Sequence, residues 1–207
     1  KGDEVVGLTW GRTLLAVVDA LHNNNWPAMK VVQLLGGLGS QEADMYAADL
    51  TIRMAQTFGA KARLLSAPGI VSTKEICDEL LQDNQIRETL ELGGNADIAL
   101  VGLGRPTSDS PVIKAGILNP VEFAKLEEQG AVGDIGLRFI DSKGQAINNE
   151  INNRIIGLNF EHYKKIKRLV GVVAGPEKFE MVKASLAGKL LSVLITDVDI
   201  GRRLLND

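Results

Sequence analysis

The chain has 207 residues, of which 45% are hydrophobic and 24% charged, and its net charge at pH 7 is -3. This length and composition fit a globular chain with one good core, arranged as one domain or as one domain with a small subdomain. The acidic balance argues against a surface that grips a nucleic-acid backbone, which needs a basic face. No apolar run approaches the ~20 residues of a membrane span and no signal peptide is visible, so we expect an intracellular protein.

Short apolar runs alternate with helical patterns along nearly the whole chain. The runs predict strands at Glu4–Leu8, Lys30–Leu35, Ala62–Leu65, Ile98–Gly102, Arg168–Ala174 and Leu191–Thr196. Several of them are apolar on consecutive residues, which is typical of strands buried on both faces of a parallel sheet. Repeated strand–helix–strand units imply right-handed crossovers with helices on both faces of that sheet. The sequence therefore predicts an α/β fold with a mostly parallel sheet.

Helix signals lie between the predicted strands. One helix is indicated by a stripe of apolar residues at helical spacing: Ala43, Ala47, Leu50, Met54 and Phe58. Ser72 and Glu75 have the spacing of a capping box that would open a second helix. Asn119, Pro120 and Glu122 have the pattern of a cap, a first-turn proline and a third-position glutamate that would open a third.

The region Gly133–Ile156 breaks the alternation of strands and helices. It holds short β-like pieces around the turn sequence Asp141–Gly144, followed by several asparagines. We predict a small hairpin-like lid here, inserted before the last strand–helix–strand unit. Because no repeat or linker divides the chain, we treat residues 1–207 as one domain. The single cysteine, Cys77, lies in a helical stretch and is predicted to be a small core residue.

The first candidate binding loop is Gly11–Thr13, after the first predicted strand. In open α/β sheets, ligands bind beyond the carboxyl ends of the strands, where loops lead into helix N-termini. Gly11 lets the backbone approach a ligand, the following amides point outward, and Arg12 and Thr13 add donors, so this loop suits a phosphate. The pattern is equally consistent with Thr13 capping the helix while Arg12 faces solvent.

Two further loops give weaker signals. Gly36 and Gly37 belong to a run with three glycines in four residues, which permits close backbone approach to a ligand, although a plain tight turn explains it better. Lys178 follows the fifth predicted strand, in the first turn of a helix, where the helix dipole disfavours a cation unless an anion is bound. A lysine that simply faces solvent fits this pattern equally well.

Signals for catalysis or for a cofactor are weak. Both histidines, His22 and His162, are expected at the surface, and no metal-ligand spacing, nucleophile elbow or Walker loop is present. Gly102–Gly104 matches the first half of the dinucleotide fingerprint, but Arg105–Thr107 replaces the rest. We therefore predict no metal, no cofactor and no catalytic residue. Because carboxylates and lysines are both numerous, the composition alone still allows a proton-transfer pair.

Eight short segments, in order, resemble the sugar-binding domain of SorC-type bacterial regulators. They are Val6–Leu14, Val32–Gly39, Ala67–Pro68, Ala99–Gly104, Gly130–Ile135, Phe139–Asp141, Asn153–Leu158 and Leu194–Asp197. The resemblance covers nearly the whole chain. It implies a Rossmann-like sheet with helices on both faces and a small lid, the fold shared with ribose-phosphate isomerase and glucosamine-phosphate deaminase.

The resemblance also implies a function and a set of contacts. Such domains sense a phosphorylated sugar and form homo-oligomers, which we expect to be dimers or tetramers. Operator DNA would be bound only through an N-terminal segment that we expect to be missing from this chain. In relatives the loop matching Gly11–Thr13 holds the phosphate, and residues matching Asp141 and Lys178 contact the ligand. Two departures matter: Leu35 stands where the glycolytic relative has an arginine for a second phosphate, and Pro176 removes a backbone donor beside the lysine.

Three functions remain open at this point: an effector sensor, a sugar-phosphate isomerase or deaminase on the same fold, and a purely structural oligomerisation module. The deaminase pattern continues its Gly-x-Gly loop into a glycine and a catalytic histidine, whereas Arg105 follows here, which favours the sensor. A structural module would leave the candidate loops unexplained.

Overall fold

A computed structural model describes residues 2–37, 41–105, 113 and 118–206. Its strands are β1 (Val5–Leu8), β2 (Lys30–Gln33), β3 (Lys61–Arg63), β4 (Ile98–Gly104), β5 (Gly133–Ile135), β6 (Arg138–Ile140), β7 (Arg168–Val173) and β8 (Val193–Thr196). Its α-helices are α1 (Arg12–Asp19), α2 (Gln41–Thr57), α3 (Lys74–Leu81), α4 (Asn84–Gly94), α5 (Pro120–Glu128), α6 (Phe160–Lys165), α7 (Phe179–Ala187) and α8 (Val198–Asn206). Glu150–Arg154 and Pro176–Lys178 form short 3₁₀ helices.

The main sheet is parallel, in the order β3-β2-β1-β4-β7-β8. All six predicted strands are present, with ends that differ by up to two residues. The second strand ends at Gln33 because Leu35, predicted as its last residue, leaves the ladder and forms an isolated antiparallel bridge with Gly157. At its carboxyl end β4 also pairs with β5, and β5 with β6, in antiparallel fashion.

Helices cover both faces of this sheet, as predicted. One face carries the largest apolar cluster, in which residues of β4 and β7 pack against α4, α6, α7 and α8. The other face packs against α1 and α2, with Leu14 and Leu50 fully buried. The predicted stripe of α2 is confirmed at Leu50, Met54 and Phe58, whereas Ala43 and Ala47 have side chains outside the described part. Burying both faces in this way removes the central strands from water.

The helix caps test the local predictions. Asn119 forms a full capping box with Glu122 at the start of α5, as predicted. The predicted box at Ser72 is wrong, because α3 begins one residue later and Thr73 is its cap, accepting from the amide of Ile76 at 3.4 Å. Thr73 and Ser72 both carry a hydroxyl that could cap the helix, and the backbone geometry decides which of the two is the cap.

Three further side-chain predictions have clear outcomes. Cys77 is buried, as predicted, with Sγ 3.7 Å from the carbonyl oxygen of Ile155. His22 is exposed, as predicted. His162 is instead half-buried, because its ring packs against Gly94 of α4, where a Cβ would lie 3.1 Å from the ring. None of the helices in the described ranges is long and apolar enough to cross a bilayer.

The region predicted as a lid begins with a two-residue hairpin between β5 and β6. Gly136 and Leu137 both have positive φ, at 54° and 64°, which matches the turn that best fits the twist of paired strands. A leucine is strained in this conformation. Two interactions offset the strain: the Leu137 side chain is buried in a third apolar cluster, and its amide donates to Asp134 Oδ2 at 2.9 Å.

Arg138 ties this hairpin to the rest of the protein. Its side chain is only 9% exposed. The guanidinium donates to four carbonyl oxygens, those of Leu158 and Asn152 at 2.9 Å, Gly157 at 3.3 Å and Ile155 at 3.4 Å. Burial lowers the pKa of Arg138, and no carboxylate of the described residues pairs with it. The charge is therefore compensated by backbone dipoles, and one side chain fixes the course of residues 152–158.

We expect Arg138→Met to lower the free energy of unfolding by about 3 kcal/mol or more, because four buried acceptors would lose a charged donor. Chemical denaturation measures this loss. Arg87→Met, on the exposed surface of α4, is the control and should change stability by at most about 0.5 kcal/mol. Equal effects of the two substitutions would contradict the anchoring role of Arg138.

Candidate functional site

All three candidate loops lie at the carboxyl edge of the sheet, because β1, β2 and β7, which they follow, run parallel. Strands β1, β4 and β7 are neighbours and run parallel, so their carboxyl ends lie side by side. Gly11–Thr13 follows β1, Arg105 follows β4, and Gly175–Lys178 follows β7. This edge is where open α/β sheets bind ligands. We take it as the candidate site.

The loop after β1 leaves the start of α1 open. Gly11 is the N-cap residue, with φ 150° and ψ 151°. As a glycine it has no side chain that could cap the first amides of α1. Thr13 therefore lies inside the first turn and is not the cap, which excludes the capping alternative. A Cβ built on Gly11 would meet no described atom within 4 Å. In the described part of the chain no side chain caps the first amides of α1, which lie beside an exposed Arg12 and a half-buried Thr13.

The glycines after β2 have a different structural role. The amide of Gly36 donates to the carbonyl of Ile156 at 3.0 Å, and that of Gly37 to the carbonyl of Ala67 at 2.9 Å. A Cβ on Gly36 would lie 2.5 Å from the carbonyl oxygens of Ala67 and Pro68. These glycines allow two loops to pack closely, and their amides are already bonded within the chain. An effector contact at Gly36 and Gly37 stays a prediction, and it would have to use other atoms.

Asp141 stabilises the turn in which it lies. Its Oδ1 accepts from the amides of Lys143 and Gln145, both at 2.9 Å. Gly144, in the same turn, packs against Ala184 and Gly188 at the C-terminal end of α7. Lys178 is the N-cap residue of that helix and Gly188 is its C-cap residue. These two residues are ten positions apart, which corresponds to about 15 Å along the helix axis. No hydrogen bond joins Asp141 to Lys178 among the described residues, and an effector contact by Asp141 stays a prediction.

Asp134 is a site residue that the sequence reasoning missed. It is 9% exposed and lies on β5, opposite Gly104 at the carboxyl end of β4. A Cβ on Gly104 would be 2.2 Å from Asp134 Oδ1, so glycine is needed at 104 for the carboxylate to fit. Burial raises the pKa of Asp134 to about 6, while the Leu137 amide and Lys178 act in the opposite direction. The available signal was a lone acid between apolar residues in a short strand.

Lys178 is held beside Asp134 by the loop after β7. It ends the 3₁₀ helix Pro176–Lys178 and is half-buried. Gly175 enters this loop at φ 109°, and its amide donates to Asp197 Oδ2 at 2.8 Å. Asp197 also accepts from the amide of Ile200 through Oδ1, and these backbone bonds lower its pKa. The end of β8 thus fixes the loop that carries Lys178.

The site is rich in cations. Arg12 and Arg105 are exposed, Lys178 is half-buried, and none of the three forms a salt bridge with a carboxylate of the described ranges. Asp134 is the acid that Lys178 influences electrostatically. Among the described residues, no group of three or more His, Cys, Asp or Glu side chains could hold a metal ion. The arrangement is suited to an anionic ligand with hydroxyl groups.

Comparisons with known proteins show the family of this chain. A family model described as "Putative sugar-binding domain" matches residues 1–206. The chain is 31% identical over 207 residues to the deoxyribonucleoside regulator of Bacillus subtilis (strain 168), covering 100% of this chain and 66% of that protein. It is 22% identical over 204 residues to the sorbitol operon regulator of Klebsiella pneumoniae, covering 98% of this chain and 65% of that protein. The chain spans between 53% and 66% of such relatives.

Solved structures show the same fold. A DeoR family transcriptional regulator from Listeria monocytogenes superimposes with a TM-score of 0.89 at 26% identity, covering 96% of this chain and 78% of that one. The full-length sorbitol operon regulator SorC from Klebsiella pneumoniae gives a TM-score of 0.90 at 21% identity, covering 98% of this chain and 66% of that one. The resemblance inferred from the sequence motifs is confirmed by these matches.

Asp134 should make stability depend on pH. The folded protein holds its proton more tightly than the unfolded chain does, with a pKa of about 6 against 3.8. The carboxyl therefore contributes stability that is fully present below about pH 4 and is lost as the pH rises through about 6. The loss amounts to at most about 3 kcal/mol.

We expect Asp134→Asn to remove this dependence. The free energy of unfolding of the variant should therefore rise relative to that of the wild type as the pH increases from 4.5 to 7.5. Urea denaturation of both proteins at several pH values in that range measures the difference in unfolding free energy. A difference that stays constant across the range would show that the Asp134 carboxyl is not held in its protonated form by burial.

Proposed function

The chain belongs to the family of sugar-binding domains found in bacterial transcriptional regulators, and we propose that it senses a phosphorylated sugar without converting it. Its relatives in that family are regulators and are longer than this chain. We further propose that the whole protein is a cytoplasmic homo-oligomer, and that a segment outside this chain binds operator DNA. Effector binding would then change the DNA affinity of the whole protein.

The open N-terminus of α1 carries the proposal. A helix of eight residues begins at Arg12, and no described side chain caps its first amides. Free amides and the helix dipole together attract an anion, and a phosphate is the anion that they fit best. Arg12 and Thr13 add a charge-assisted donor and a hydroxyl. We therefore assign the phosphate of the effector to Gly11–Thr13.

The sugar hydroxyls are assigned to the other side of the site. Asp134 has one oxygen bonded to the Leu137 amide, and its second oxygen lies against Gly104 at the edge of the sheet. Lys178 lies close enough to lower the pKa of this carboxyl. A carboxylate that accepts and an ammonium that donates suit a polyol. Asp134 is the better candidate than Asp141, whose Oδ1 already accepts two amides of its own turn.

A chain of contacts connects this site to the lid region. Asp134 begins the hairpin that the buried Arg138 connects to residues 152–158. An effector that contacts Asp134 therefore touches the base of the lid, and it shifts the population of lid positions if its affinity differs between them. This is the proposed path from occupancy to the arrangement of subunits.

The pair of Asp134 and Lys178 also favours a second candidate function, a sugar-phosphate isomerase. A buried carboxyl with a pKa of about 6 beside a lysine has the properties of a general base next to an electrophilic group. We expect no turnover when the protein is incubated with aldose and ketose phosphates, because its relatives are regulators. Interconversion that exceeds the buffer control and disappears in Asp134→Asn would establish the isomerase instead.

We expect Arg12→Ala to weaken binding of the phosphorylated effector by roughly 10-fold to 150-fold, which corresponds to about 1.5–3 kcal/mol for a charge-assisted pair. A thermal-shift screen of sugar phosphates identifies a ligand, and calorimetry then compares it with the free sugar. Arg202→Ala, on the exposed side of α8, is the control and should leave both affinities unchanged. Equal losses for the phosphorylated and the free sugar would show that Arg12 does not contact the phosphate.

A further inference from the structure

Arg105 is a third cation of the site, and neither the family motif nor the proposed contacts explain it. It is the first residue after β4, between the phosphate loop on β1 and the Lys178 loop on β7. Its Nη1 donates to the carbonyl oxygen of Glu177 at 2.9 Å. Glu177 directly precedes Lys178, so this bond draws the guanidinium toward the β7 side of the site.

The site therefore has two positive poles. One is the start of α1 with Arg12, after β1, and the other is formed by Lys178, after β7, and by Arg105, which follows β4 and bonds to the Lys178 loop. Neighbouring strands lie about 4.8 Å apart, so β1 and β7, with β4 between them, are separated by roughly 10 Å. A phosphate bound at the start of α1 therefore lies about two strand spacings from the backbone of the Lys178 loop.

Arg105 is the cation of the second pole that has donors left for a ligand. Arg105 forms no salt bridge with a described carboxylate, and the Glu177 atom that it contacts is a neutral carbonyl oxygen. A guanidinium has five N–H donors, so one bond to a carbonyl leaves it able to bind an anion through the others. Asp134, on this side of the site, is the acid that Lys178 influences, and with a pKa of about 6 it is mostly ionised at neutral pH, so it offsets the charge of Lys178 and not that of Arg105.

We propose that Arg105 selects effectors that carry a second anionic group, a carboxylate or another phosphate, at the end of the sugar remote from the first phosphate. This rests on the proposed function and specifies its substrate class. The chain has Leu35 where the resemblance places an arginine for a second phosphate. Arg105 supplies a positive charge from β4 instead, near Lys178.

The test compares matched ligands that differ in the second anionic group. Calorimetry measures glucose 6-phosphate against 6-phosphogluconate, fructose 6-phosphate against fructose 1,6-bisphosphate, and the corresponding five-carbon pairs. We expect wild type to bind the doubly anionic member of at least one pair tenfold or more tightly, as a charge-assisted bond provides. The carboxylate and bisphosphate pairs distinguish the two kinds of second group.

Arg105→Gln separates the charge from the loop contact, because a glutamine amide still donates to the Glu177 carbonyl. We expect this variant to lose the tenfold preference and to bind the singly phosphorylated sugars within twofold of wild type. Arg202→Gln is the surface control and should change neither.

Three outcomes would overturn the proposal. If phosphorylated sugars bind wild type without preference for a second anionic group, the selectivity is absent while the proposed function stands. If Arg105→Gln weakens all ligands equally, Arg105 positions the Lys178 loop and does not select the effector. If no phosphorylated sugar binds wild type, the proposed function fails together with this inference.

Discussion

The position of β4 between β1 and β7 is the constraint on which the candidate site depends. Because all three strands run parallel, the open end of α1, Arg105 and the Lys178 loop must lie at the same edge of the sheet. Each of these features is ordinary by itself: a helix start, a surface arginine and a short loop. Their adjacency is what gives the edge an excess of positive charge and makes it suited to a phosphorylated ligand.

A second constraint concerns the region predicted as a lid: the turn of its hairpin depends on Asp134. The carboxylate accepts the amide of Leu137, a residue held at positive φ, and it occupies space that only a glycine at 104 leaves free. Arg138 then continues the chain of contacts to residues 152–158 through carbonyl oxygens. The same acid thus supports the geometry of the lid and lies at the edge where a ligand would bind. Under the proposed function, this double role would transmit ligand binding at the site to a structural element outside it.

Burial and charge act against each other at Asp134. The protein has removed this carboxyl from water, which raises its pKa, and has placed Lys178 where it counteracts part of that effect. Such a group is costly to keep in an otherwise apolar environment, and strongly perturbed carboxyls of this kind are concentrated at functional sites. Asp141 is half-buried in its turn and accepts two backbone amides through Oδ1.

The sequence by itself determined the sheet, the helices on both faces and the family. Parallel strands must be buried on both faces, so runs such as Val170–Val173 reveal them without any alignment, and the cap at Asn119 uses only neighbouring residues. What only the tertiary structure decided was which polar residues meet. The family resemblance implied a ligand contact at Asp141, whereas no local pattern marked Asp134, because local pattern does not record what packs against a side chain. Arg138 and Asp134 acquire their roles from carbonyls, amides and cations that are distant in the chain and become neighbours only when the sheet and the lid are assembled.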